Sequence, residues 1–138
     1  MSSSVTQTPQ EYEASVGALL DAAVAIASKR GRTRIAAVNN ILEVLESESG
    51  GESAIALTIA FILRQAGRGI IEQPMAQKMA EELMSILKNP NLDSASKKET
   101  ARKLLGLVKW VIETADGFRV SLSNVSRFED FVRLLSGR

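Results

Sequence analysis

The stretch Ala54-Ile55-Ala56-Leu57-Thr58-Ile59-Ala60-Phe61-Ile62-Leu63 decides how this chain folds. It is the longest apolar run, interrupted only by Thr58, and about half the length a membrane span needs. Wound as a helix it is apolar on nearly every side, so neighbours must cover it. The sequence therefore predicts a core helix over about residues 53–66 in the middle of a bundle, stopped by Gly67 and Gly69.

Other helices lie on both sides of it. Upstream, Thr8-Pro9-Gln10-Glu11 has the form of a capping box with proline at the first helical position. Tyr12, Val16, Leu19, Leu20, Ala23 and Ile26 follow at helical spacing, and Gly31 ends that pattern. Thr33 is placed to cap a second helix with Ile35, Val38, Ile41, Leu42 and Leu45 inward. The Ser47-Glu48-Ser49-Gly50-Gly51-Glu52 stretch reads as a flexible connection.

Downstream, Pro74 opens a fourth helix carrying Met75, Met79, Leu83, Ile86 and Leu87, which Asn89-Pro90 closes. Ser96-Lys97-Lys98-Glu99 has the form of a second capping box, leading into Ala101, Leu104, Leu105, Val108, Val111 and Ile112. Asp116-Gly117 reads as a turn and residues 118–122 as extended loop, since a lone strand has no partner. Ser126 caps a last short helix with Phe128, Phe131, Val132 and Leu135 inward. The expected fold is all-α: a single-domain helical bundle of about five to six helices over residues 9–138, preceded by an N-terminal arm over residues 1–8.

Composition narrows function by subtraction. The chain of 138 residues has no histidine and no cysteine, so the usual neutral-pH proton carrier and the usual transition-metal ligands are missing. No acidic segment has the alternating oxygens and central glycine of a calcium loop. Gly67-Arg68-Gly69 lacks the further glycines and the Gly-Lys-Ser/Thr ending of a phosphate-binding loop. Carboxylates such as Glu81 and Glu82 point to different sides of a helix, and spacing singles out no serine–lysine pair. The expectation is a protein without catalytic residues, metal, cofactor or small-molecule substrate. Absence of cysteine fits a reducing compartment, and the Met1-Ser2-Ser3-Ser4 start is unlike a signal peptide, which suits a virion or cytoplasmic protein.

With a formal net charge of +1, charge placement has to carry any argument for nucleic acid. Lys29, Arg30, Arg32 and Arg34 cluster at a helix junction, and no acidic residue occurs from Ala22 through Leu42. Arg32 and Arg34 stand where a helix N-terminus is already partly positive, an arrangement that makes sense if a phosphate binds between them. The bland alternative is a solvated basic loop. Lys97, Lys98, Arg102 and Lys103 crowd a second helix start, where their long side chains could track a phosphate backbone, although a solvated helix face is the stronger reading of this cluster alone. Glu43, Glu46, Glu48 and Glu52 form an acidic block that could pair within the chain or with a neighbour's basic junction.

Trp110 falls with Leu107 off the main stripe of its helix, so it either widens the buried face or meets another chain. Val5 in the arm is a second expected interface residue. Together these features suggest an assembly subunit that packs against copies of itself or a paralogous subunit along nucleic acid, contacting phosphates without reading sequence. Two settings suit that description: the major coat protein of a filamentous DNA virus, or the small helical subunit of a CRISPR-type effector complex. A protein-only helical interaction module is the alternative without nucleic acid.

Overall fold

The apolar run of residues 54–63 forms the helix α3, Gly51–Gly67. In the computed structural model, which describes residues 9–137 with side chains from residue 16 onward, six helices are present among the described residues. They are α1 (Pro9–Ala27), α2 (Ile35–Ser47), α3, α4 (Gln73–Leu87), α5 (Ser94–Phe118) and α6 (Phe128–Ser136). Ala54, Ile55, Thr58, Ile59, Ile62 and Gln65 form the buried face of α3, a repeat of three and four residues that marks one helical side. The chain is an all-α helical bundle. Thr8 and Val5 lie outside the described residues.

α3 lies between α2 and α4 and rests on α5, while α5 touches α1, α2, α3 and α4. The middle of the bundle is therefore α5 as much as α3. The expectation that α3 is covered all round needs correcting. Leu57 and Leu63 are 46% and 48% exposed, and Ala56 and Ala60 are exposed beside them. Flanked by α2 and α4 and backed by α5, α3 keeps one side facing solvent. Thr58, buried on the inner side, donates its hydroxyl to the Ala54 carbonyl at 2.7 Å and so needs no partner from another helix.

Several ends differ from their sequence reading because distant groups satisfy them. Thr33 does not cap α2: Arg34 is the N-cap, with no side-chain cap bond, and the buried Thr33 hydroxyl accepts the Glu72 N–H at 2.9 Å. α5 begins before the expected box, its cap being Asp93, whose carboxylate accepts the Ser96 N–H at 2.8 Å. It also runs through Asp116-Gly117 and ends where Arg119 turns left-handed, at φ 57°. The α6 N-cap is Arg127, but the Phe128 N–H is donated to the Asp21 carboxylate of α1 at 2.9 Å. Only Phe131 of α6 is buried, and Phe128 and Val132 stay exposed, on a short helix that packs chiefly against α1.

Two glycines permit close approaches. A Cβ on Gly51 would sit 1.9 Å from the Ser94 carbonyl oxygen, so only glycine lets the starts of α3 and α5 meet there. The Gly51 N–H is donated to Ser94 Oγ at 3.0 Å across the same contact. The expected flexible connection is thus short and pinned. Gly31 turns the α1–α2 junction at φ 51°, and a Cβ there would lie 2.8 Å from the Glu72 side chain.

Candidate functional site

The α1–α2 junction is built from backbone bonds that follow α1 down: the Lys29 N–H reaches the Ile26 carbonyl, Arg30 that of Ala27, and Thr33 that of Arg30. Its four cations then divide into two roles. Arg30 faces inward and clamps the turn, donating to Asp116 Oδ1 at 2.7 Å and through Nη2 to the Thr33 carbonyl at 3.1 Å. Lys29, Arg32 and Arg34 are exposed. None of these three forms an ion pair among the described residues. Glu72 approaches the turn as well and accepts the Arg32 backbone N–H at 3.3 Å.

Arg32 and Arg34 border an open hollow of about 350 Å³ whose other walls are Ala36, Ala37, Asn40, Gly69 and Ile70. The first turn of α2 has no acidic residue and no side-chain cap, so its leading N–H groups add partial positive charge beside Arg32 and Arg34. Arrangements of this kind receive phosphate or carboxylate oxygens. Gly69 and Ile70 join the site only through the fold. Their one trace in the sequence is the Gly67-Arg68-Gly69 helix stop, which nothing local ties to residues 32–34.

The second basic cluster is in a different situation. Lys97 pairs with Glu52 at 3.2 Å, Lys98 donates to the Glu48 carbonyl at 2.6 Å, and Arg102 is held between Glu46 and Glu99. Lys103, exposed on the same helix, is not without a partner either. The Arg102 guanidinium holds the Glu46 carboxyl below its ordinary range, and hydrogen bonds from Ser94 and Lys97 do the same to Glu52. Glu46, Glu48 and Glu52 therefore serve the start of α5, not the basic junction. Nor does the structure bring the two clusters together: Arg30 meets Asp116 in the last turn of α5, about 28 Å along that helix from Lys97 at its rise of 1.5 Å per residue.

The expected interface pair also divides. Trp110 is 67% exposed, whereas Leu107 is partly buried and packs against the core. Among the described residues no group of three or more acidic side chains could hold a metal ion, and no helix is long and apolar enough to cross a membrane. Compared with models of protein families, with curated proteins and with solved structures, the chain matches none.

Proposed function

We propose that this protein is a non-catalytic helical subunit of a multi-protein nucleic-acid assembly and that its basic junction holds backbone phosphate. One observation carries the reading: Arg32 and Arg34, exposed and without a carboxylate partner among the described residues, flank an open hollow at the uncapped start of α2. Cations placed against a helix dipole are unfavourable unless an anion joins them. Phosphate contacts of this sort position a subunit on nucleic acid without reading its sequence.

Charge distribution supports one setting over the other. Duplex DNA presents one negative charge per roughly 1.7 Å of axis, so a self-sufficient coat needs cations along its whole inner surface. Here Lys97, Arg102 and Lys98 at the start of α5 are engaged by Glu52, Glu46 and the Glu48 carbonyl within the subunit. That favours a small subunit of an effector complex of the CRISPR type, in which other subunits supply most of the charge. The filamentous-coat setting requires a more basic paralogous partner.

Fluorescence anisotropy with single-stranded RNA, single-stranded DNA and duplex DNA across a salt series tests the reading. Binding should weaken steeply with salt and little with sequence, and Arg32→Gln with Arg34→Gln should flatten the salt slope by about one to two units. Absence of binding to all three probes, or binding untouched by the double substitution, favours the protein-only module.

A further inference from the structure

We infer that the basic end of the bundle takes single-stranded nucleic acid, its cations holding successive phosphates while Phe118 stacks against a base. The inference rests on the phosphate half of the proposed function and adds to it the form of the nucleic acid and three further arginines.

Two bonds gather that end from distant parts of the chain. The Glu72 N–H on Thr33 Oγ1 joins the α1–α2 junction to the α3–α4 junction, and Arg30 on Asp116 joins the α1–α2 junction to the last turn of α5. Arg64 and Arg68, where α3 ends, and Arg119, where α5 ends, therefore stand at the same end as Lys29, Arg32 and Arg34. All six are exposed, and none forms an ion pair among the described residues. Arg64 meets the Gln65 amide oxygen at 3.5 Å, a contact that neutralises no charge. The acids on the segments that meet there are Glu72, Glu113 and Asp116, and Asp116 is already held by Arg30.

The α3 dipole accounts for Arg64 and Arg68 taken singly, since cations suit a helix C-terminus. It does not account for Arg32 and Arg34 at the start of α2, nor for bringing all six together. Like charges collected on one surface repel each other, and the field they make draws in a polyanion. At the opposite end Lys97, Lys98 and Arg102 are engaged within the subunit instead.

An aromatic ring stands beside these charges. Phe118, the last residue of α5 and the neighbour of Arg119, is 60% exposed. Cations that follow a backbone, with a ring on which a base stacks, make up a single-strand platform. A duplex covers the face of each base with the next pair, so Phe118 has a partner only on an unpaired strand.

Fluorescence anisotropy with the full chain tests this on three labelled probes: an oligothymidylate, an abasic strand of the same length, and a duplex. The oligothymidylate should bind with a salt slope of about four, as six cations on a single strand give. Arg64→Gln, Arg68→Gln and Arg119→Gln together should flatten that slope by about two units, and the corresponding lysine substitutions should preserve it. Lys88→Gln removes an exposed charge beyond the far end of α4, about 22 Å along that helix, and should change nothing. Phe118→Ala should weaken oligothymidylate binding about tenfold without altering the slope, and leave the abasic strand and the duplex as they were. Every one of these side chains is exposed, so the helical circular-dichroism spectrum should persist throughout.

The inference is overturned if Phe118→Ala affects all three probes equally or none, or if the triple arginine substitution leaves the slope in place. Polyglutamate bound as tightly as the strand overturns it too, and makes this end a site for an acidic protein. In each case the proposed function still stands if Arg32→Gln with Arg34→Gln flattens the slope. If that pair has no effect, or no probe binds, both readings fall.

Discussion

Thr33 Oγ1 accepts the Glu72 backbone N–H at 2.9 Å, which joins the α1–α2 junction to the α3–α4 junction through a side chain only 2% exposed. Both walls of the basic hollow depend on that bond, since Arg32 and Arg34 flank Thr33 while Gly69 and Ile70 precede Glu72. Thr33→Val keeps the shape and removes the acceptor, leaving the N–H unpaired. It should lower unfolding stability by about 1–3 kcal/mol in urea, and Thr33→Ser by much less.

The two sides of α3 should respond oppositely to the same charge. Ile59 is on the buried face, so Ile59→Asp places an unpaired carboxylate in the core, and a cost of several kcal/mol is enough to unfold a domain of ordinary stability. Leu63→Asp, on the exposed ridge, should change the thermal midpoint little. Circular-dichroism melts of the two variants side by side check this.

The cations of α5 and of the junction should separate in a binding assay. Lys97→Gln and Arg102→Gln break contacts to Glu52, Glu46 and Glu99 within the subunit. They should leave the salt slope of nucleic-acid binding unchanged while costing up to about 1 kcal/mol each in stability, the usual range for surface pairs. A drop in slope equal to that of Arg32→Gln with Arg34→Gln would return α5 to the phosphate-binding surface.

Stability should fall on acidification and be flat near neutrality. The pKa values of Glu46, Glu52 and Asp93 are lowered in the folded chain, by the Arg102 hydrogen bond, by Ser94 and Lys97, and by the Ser96 N–H respectively. A lowered folded value means that the unfolded chain binds more protons at pH values between the folded and the ordinary pKa. The stabilisation is therefore complete above the ordinary carboxylate range near pH 4 and is lost as pH drops through the folded values. With no histidine to titrate, the thermal midpoint should stay level between about pH 6 and pH 8. Glu46→Gln should reduce the acid-side loss.

Periodicity made the helices legible, because each buried stripe is a local pattern: Ile41 and Leu45, Met79 and Leu83, Leu104 and Val108 all lie inward as their spacing demands. Pro74 and Gly67 also lie where they start and stop helices. What the pattern concealed was long-range. No local signal assigns the Phe128 N–H to Asp21, 107 residues away, or pairs Glu46 with Arg102 across 56. Likewise the junction at residues 32–34 was visible as charge, but its hollow needs Gly69 and Ile70, which the α3–α4 turn brings alongside. The exposed side of α3 was misread because hydrophobicity alone does not distinguish a helix covered all round from one that keeps an apolar ridge.

The Arg30 clamp has a consequence for biosynthesis. Its guanidinium fastens the junction to Asp116, a residue made 86 positions later. While the ribosome is still producing α5, that end of the clamp does not exist, and the loop bearing Arg32 and Arg34 lacks one of its anchors. If the proposed function holds, phosphate affinity should therefore mature late in translation, once Asp116 has been made.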